Sequence, residues 1–138
     1  MTDQEQDILA ATVQLYEHTR RGDWDAAAEM LTDDFFVTEA PGLPYEGVFR
    51  GRNALRELYI KVMGCMDVTG IDIHQMTVGG DWVVVLLDIV ARDMDGGELR
   101  LPLAEATRFR DGKVCEIKPY YFDPALPNRA AAAKLAAA

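Results

Sequence analysis

Residues 81–92 read DWVVVLLDIVAR, and after a DGG turn (95–97) the chain continues as LRLPLAEATRFR (99–110), DG (111–112) and VCEIKPYYFD (114–123). Three apolar runs rich in β-branched residues are thus separated by Asp-Gly turns. This pattern is the strongest short-range signal for consecutive β-hairpins. The sequence therefore predicts a long antiparallel meander in the second half of the chain.

The two turns also predict how the strands pair. A two-residue loop at the second turn places Glu105 opposite Lys118, and the first turn places Asp88 opposite Leu103. A one-residue bulge in either hairpin would move the residues of one strand to the other face. Because side chains alternate between faces, one face is expected to carry a set of ionisable groups in an apolar wall. Its expected members are Asp88, Glu105, Lys118, Tyr120, Leu86, Leu101, Leu103 and Phe122.

Composition and charge limit the classes of function. The 138 residues suit one domain, with 49% apolar and 27% charged residues. A net charge of −9 disfavours nucleic acid and anionic membrane surfaces as partners, since both carry negative phosphates. Neither a secretory signal nor an apolar run of about 20 residues is seen. We therefore expect a soluble, cytoplasmic protein.

The residue types that hold metals or form covalent intermediates are scarce. Cys65 and Cys115 are too few for a disulfide framework and lack metal-ligand spacing. His18 and His74 belong to no His/Asp/Glu cluster, the chain contains no serine, and no phosphate-binding or dinucleotide fingerprint is present. The chemistry expected is proton transfer by carboxylate and tyrosine, without a metal or cofactor.

Helices are predicted before the meander. Thr2 and Glu5 form a capping box for the first helix, Asp23 is the expected N-cap of the second, and the third spans about 53–63. An early strand at 35–40 and a strand at 68–78 complete the order. Residues 129–138 look low-complexity and vector-derived, so the domain is predicted to span 1–128. Helices followed by an antiparallel meander indicate an α+β fold, which a twisted sheet can curl into an open cone.

Several segments resemble a known family: DWDAAAEML (23–31), PGLPYEGVFRGRNAL (41–55) and FRDGKVCEIKPYYFD (109–123). With the element order, they resemble the SnoaL-like proteins of the nuclear transport factor 2-like superfamily, which includes ketosteroid isomerase and limonene epoxide hydrolase. The resemblance covers about residues 3–126. It implies a cone-shaped α+β barrel, with three N-terminal helices packed on a curved, mainly antiparallel sheet. It also implies an apolar cavity for a small apolar or amphipathic molecule.

The resemblance also suggests positions for reacting groups. In the hydrolase relatives, an Arg-x-Asp pattern and a second aspartate near the end of the last strand surround a water molecule. The first pattern falls on residues 86–88 and the second on Tyr120, so only Asp88 matches. The cyclase relatives imply an acidic residue at the end of the cavity, a part that Asp88 or Asp123 could take.

Asp88 and Tyr120 are the candidate catalytic residues. An unpaired carboxylate is costly to bury, which suggests that Asp88 acts as a general acid or base. Tyr120 can donate a hydrogen bond to an oxygen that develops negative charge. The alternative for Asp88 is a structural hydrogen bond, and Tyr120 can equally be a packed amphipathic side chain.

The candidate ligand-binding residues are two ionisable groups of the meander, two side chains toward the mouth of the cone and one member of the expected apolar wall. The predicted Glu105–Lys118 pair could orient a polar ligand group, or form an ion pair on an open sheet face. The full set is Glu105, Lys118, Glu39, Tyr45 and Phe122.

Three functions remain open at this point. The first is a cofactor-independent isomerase, cyclase or hydrolase, and the second is a non-catalytic binder of a small molecule. The third is an interaction module. A homodimer is expected in all three cases, because an apolar sheet face is rarely left in water. The face expected to dimerise carries His74, Val83, Val85, Ala104, Ala106 and Tyr121.

Overall fold

The computed structural model describes residues 1–138, which form four helices and six strands. None of the helices combines the length and the apolar character that crossing a membrane requires. In chain order the elements are α1 (Asp3–Arg20), α2 (Trp24–Glu29), β1 (Leu31–Glu39), β2 (Gly47–Arg50), α3 (Ala54–Cys65), β3 (Val68–Gly79), β4 (Trp82–Arg92), β5 (Glu98–Arg110), β6 (Lys113–Tyr121) and α4 (Ala125–Ala137).

All six strands belong to one sheet, in the order β2-β1-β6-β5-β4-β3. Every neighbouring pair is antiparallel except β1 and β6, which run parallel. One face of the sheet packs against the first three helices, so that the fold is a curled sheet wrapped around helices. The predicted α+β class, with helices on a mainly antiparallel sheet, is confirmed.

The main core lies between α1 and the inner face of the sheet, by which we mean the face toward the helices. Ile8 and Leu15 of α1 pack into the cluster that contains Val83, Val85 and Leu103. The predicted capping box between Thr2 and Glu5 is present at the start of α1. It satisfies backbone donors that would otherwise lack partners.

The β5–β6 hairpin shows where the predicted register fails. Its turn is the expected two-residue loop, because Arg110 pairs with Lys113 and Asp111 adopts a positive φ of 52°. A bulge between Arg108 and Phe109 then shifts the pairing by one residue. Glu105 consequently lies opposite Pro119 and not opposite Lys118.

The β4–β5 hairpin is displaced in the same way. Its turn is wider than predicted, with the backbone N–H of Asp93 donating to the carbonyl of Gly97 at 2.8 Å. Arg92, and not Asp93, pairs with Glu98. As a result Asp88 lies opposite Pro102, and the prediction that it faces Leu103 is wrong.

The segment 129–138, which we expected to lie outside the fold, is part of a helix. Ala130 of α4 is fully buried in a second core cluster with Leu43, Tyr45 and Leu101. Small alanine side chains let the helix approach these residues closely. The prediction that the fold ends at residue 128 is therefore wrong.

Candidate functional site

Five polar side chains meet on the inner side of the sheet, and we call them the interior cluster. They come from α1, the end of β1, the loop before β2, β5 and β6. Its members are Tyr16, Glu39, Tyr45, Glu105 and Tyr121.

The strand periodicity of β1 brings Glu39 into this cluster. Phe35, Val37 and Glu39 are all buried, and the residues between them are less so. Because alternate side chains share a face, the final residue of the strand points inward with the two apolar ones. Glu39 keeps only 4% of its surface exposed.

Glu105 enters the cluster from β5 and is paired with α1. It lies on the face that also carries the buried Leu103 and Thr107, and the hydroxyl of Tyr16 donates a hydrogen bond to its carboxylate. Burial raises the pKa of Glu105, and the hydrogen bond from Tyr16 opposes that rise. Burial, followed by the negative charge of Glu105, holds the pKa of Tyr16 well above its usual value.

Tyr45 and Tyr121 form the second pair in the cluster. Their hydroxyl oxygens are hydrogen-bonded at 2.6 Å, and their rings meet edge to face with centroids 6.2 Å apart. Burial raises the pKa of both tyrosines, and the negative charge of Glu39 adds to the rise at Tyr121. Both hydroxyls therefore stay protonated and serve as neutral hydrogen-bonding groups.

Glu39 differs from Glu105 in having no hydrogen-bond partner for its buried Oε1 atom. Burial and the nearby negative charge of Glu105 raise the pKa of Glu39 to about 8. Most Glu39 side chains therefore hold a proton at neutral pH, and a small change in surroundings can release it. Such a group can act as a general acid or base close to physiological pH.

Three members of the cluster are less deeply buried than the other two. Tyr16, Glu105 and Tyr121 are only partly buried, so each keeps some surface that solvent can touch. A ligand held against these three side chains would lie beside the more deeply buried Glu39.

The structure places both predicted catalytic residues on the outer face, away from the helices. Asp88 lies within 3.3 Å of His74 Nε2 and within 3.2 Å of Arg100 Nη1. Tyr120 is 56% exposed. The prediction that they share a face with Glu105 is wrong, because the wider first turn and the bulge in the second hairpin each shift the register by one residue.

The predicted ligand-binding residues divide between the two faces. Glu39 and Tyr45 lie inside with Glu105, whose partner is Tyr16 and not Lys118. Lys118 lies outside, with its Nζ atom 5.8 Å from the centre of the Tyr120 ring. Phe122 follows the end of β6 and is 86% exposed, so it is not part of the predicted apolar wall.

The residues expected on a dimerising face are also divided between the two faces of the sheet, because of the same one-residue shifts in register. Val83 and Val85 are fully buried against the helices, and Tyr121 belongs to the interior cluster. Ala104 remains on the outer face, where it pairs with both Leu86 and Tyr120.

Tyr16 and Tyr121 are site residues that the sequence did not predict. Tyr16 continues the buried helical stripe of Ile8, Thr12 and Leu15, where a packing role is the ordinary interpretation. The only sign of a role in the site was that this apolar stripe ends in a residue with a hydroxyl group. Tyr121 would have been assigned inward only with the bulge included.

An open groove on the surface is separate from the interior cluster. This groove of about 660 Å³ lies between the end of α3 and α4, where Pro44, Cys65 and Leu135 contribute to its walls. None of the interior cluster lines it. The structure brings together no group of three or more His, Cys, Asp or Glu side chains that could hold a metal ion.

Comparison with known proteins identifies the family. The family model described as the SnoaL-like domain matches residues 12–117. No curated protein matches the chain. Among solved structures, Bal32a from a soil-derived mobile gene cassette has 14% identity and a TM-score of 0.80, covering 93% of this chain and 99% of that one.

Two further structures are similar, and others called NTF2-like proteins share the fold. TerC, crystallised with polyporic acid, has 18% identity and a TM-score of 0.74, covering 95% of this chain and 99% of its own. A protein from Mesorhizobium loti, proposed to be a SnoaL-like polyketide cyclase [carbohydrate phosphatase], has 25% identity and a TM-score of 0.63, covering 88% and 100%. The chain therefore belongs to the SnoaL-like domain family.

Proposed function

We propose that this protein binds a small apolar or amphipathic molecule against the interior cluster and catalyses a proton transfer on it. The reaction would be an isomerisation, cyclisation or hydrolysis that needs no metal or cofactor. In this proposal the protein acts as a cytoplasmic enzyme, and neither nucleic acid nor a membrane takes part.

The observation that carries the proposal is the state of Glu39. Its carboxyl group is buried, its Oε1 atom has no partner, and its pKa is raised to about 8 by burial and by Glu105. Leaving a buried polar atom unpaired costs free energy, so such atoms in proteins are generally paired. A bound ligand would provide the missing partner.

The other cluster members suit supporting roles. The Tyr45–Tyr121 pair uses one hydroxyl hydrogen between its two oxygens, so the second can donate to a ligand oxygen and stabilise negative charge that develops on it. Glu39 is mostly neutral at neutral pH, and a neutral carboxylic acid can itself donate such a hydrogen bond. Glu39 would then move the proton, and Tyr45 with Tyr121 would orient the ligand.

The relatives support a small organic ligand. TerC was crystallised with polyporic acid, and the Mesorhizobium loti protein is proposed to be a polyketide cyclase. We infer that this chain also binds a small organic molecule, whose chemical class the identities of 18% and 25% do not specify.

A homodimer through the outer face is part of the proposal. Leu86 is 42% exposed there, and its neighbours across two strands are Ala104 and Tyr120. Trp82 on the same strand is also exposed. An exposed apolar strip of this kind is typical of a contact between subunits.

The proposal is tested by ligand binding and turnover in matched variants. A panel of enolisable aromatic ketones and hydroxylated polyketides is screened by thermal unfolding, and each compound that binds is assayed for turnover. Glu39→Gln should abolish turnover while the protein stays folded. Glu116→Gln, on the outer face beside Arg108, is the matched control and should retain activity.

Two outcomes would contradict the proposal that the protein is an enzyme. Full turnover in Glu39→Gln would remove Glu39 from the mechanism. Binding without turnover, across the whole panel, would indicate a non-catalytic ligand binder.

A further inference from the structure

The interior cluster contains no positive charge. The chain has 14 Lys and Arg residues, and all of their side chains are exposed except that of Lys134, which contacts Asp67 and the carbonyl of Met63. Neither Glu39 nor Glu105 has a cation among the groups that shift its pKa. The two carboxyl groups are therefore uncompensated.

Such an arrangement is unusual for buried acids. Buried charges in proteins are generally paired with an opposite charge or a metal, because an isolated one is costly to desolvate. Here Tyr16 donates a hydrogen bond to Glu105, whereas Oε1 of Glu39 has no hydrogen-bond partner. Without a cation, the protein lowers the cost only by keeping a proton on Glu39.

The surroundings of the carboxyl groups are aromatic as well as acidic. Tyr16, Tyr45 and Tyr121 come from three different elements, and Cys65 is near enough to Tyr45 to influence its pKa. An ammonium group is attracted both to carboxylates and to the faces of tyrosine rings. A carboxylate or phosphate ligand would meet only negative charge and neutral hydroxyl groups.

We propose that the ligand of the interior cluster carries a basic nitrogen, bound as an ammonium ion between Glu39 and Glu105. The proposal rests on the interior site put forward under Proposed function and specifies the chemical class of its ligand. The ammonium N–H groups donate to Oε1 of Glu39 and to the carboxylate of Glu105. Both acids are then ionised in the complex.

Ammonium binding has a measurable consequence in protons. Glu39 gives up its proton when a positive charge arrives, because the ion pair favours the carboxylate form. The groups facing Glu39 are Glu105, Tyr121 and Tyr45, and the two tyrosines keep their protons. Binding should thus release protons at about pH 7, among them the one that Glu39 holds.

The test uses three probes that share a naphthyl group and differ only in the polar group: naphthylmethylamine, naphthylmethanol and naphthoic acid. Isothermal titration calorimetry on the full chain, in buffers of different ionisation enthalpy, gives affinity and proton release together. The amine should bind at least about tenfold tighter than the alcohol, the size of one charge-assisted hydrogen bond. The acid should bind most weakly.

Variants separate the ion pair from general hydrophobic binding. Glu39→Gln should weaken the preference for the amine, because only Glu105 then faces the ammonium group, and should reduce the proton release while retaining affinity for the alcohol. Glu116→Gln should leave both unchanged. A preference for the amine that is as large in Glu39→Gln as in wild type would overturn the ammonium site.

The remaining outcomes distinguish this inference from the proposed function. Equal binding of the amine and the alcohol, or tighter binding of the acid, overturns the ammonium ligand and leaves the interior site in place. Binding of no probe at all overturns the interior site itself and this inference with it.

Discussion

Tyr16 of α1 donates a hydrogen bond to the carboxylate of Glu105 on β5, 89 residues further along the chain. The bond joins the first helix to the centre of the sheet, inside the core that both elements share. The bond stabilises the packing of α1 on the sheet. Because it gives Glu105 a partner, Glu39 is the unpaired acid of the interior cluster.

Tyr16→Phe should destabilise the protein by about 1–2 kcal/mol, because it leaves a buried carboxyl group without its donor. Urea unfolding measures the change in free energy. Tyr59→Phe, at an exposed tyrosine of α3, is the matched control and should have little effect. Equal stability of the Tyr16 variant and wild type would show that the bond is not formed in solution.

The fold could be predicted from the sequence further than the site could. Hairpin turns, helix caps and alternating apolar residues are local signals, and they predicted the first three helices, five of the six strands and the Arg110–Lys113 pairing, but neither β2 nor α4. The bulge at Arg108 depends on how the whole sheet packs, and a shift of one residue moves a side chain to the opposite face. Tyr120 was placed inside for this reason, and Asp88 was placed inside because the first turn is wider than predicted.

The Tyr16–Glu105 contact could not be predicted from local pattern at all. It depends on how a helix sits on a sheet, which short-range spacing does not specify. Glu39 was named as a candidate, but its burial and the proximity of Glu105 became visible only in three dimensions.

Stability should fall as the pH rises through the range in which Glu39 titrates. The pKa of Glu39 is about 8 in the folded protein, against an ordinary value of 4.5. Between these values the folded state holds a proton that the unfolded state has lost, so raising the pH favours unfolding. The loss attributable to Glu39 should be on the order of a few kcal/mol.

Urea unfolding at a series of pH values between about 4.5 and 8 measures this loss. Glu39→Gln should flatten the dependence, because glutamine does not titrate. A wild-type curve that rises through the same range, or a Gln variant with an unchanged slope, would contradict the assignment.

Charge on the outer face should disrupt the proposed dimer. Leu86→Lys places a cation in the apolar strip, which costs free energy if the strip is desolvated between subunits. Sedimentation should show a dimer for wild type and a monomer for this variant. Val13→Lys, at an exposed position of α1, should leave the dimer intact. A monomeric wild type at micromolar concentration would exclude the dimer.

Asp88→Asn should have a small effect on stability, under about 1 kcal/mol, because its partners His74 and Arg100 are substantially exposed to solvent. Denaturant unfolding in low and high salt checks this, since an ion pair near the surface weakens as salt is added. A loss of several kcal/mol would mean that solvent does not screen the contacts of Asp88 with His74 and Arg100.

The most direct test of the account is the titration of the Glu39 carboxyl carbon by NMR, with Glu39→Gln identifying the signal. The account predicts a midpoint near pH 8, because the group is buried beside Glu105 and lacks a hydrogen-bond partner. A midpoint near the ordinary value of 4.5 would show that Glu39 is ionised at neutral pH, and it would remove the basis for acid–base chemistry in the interior cluster.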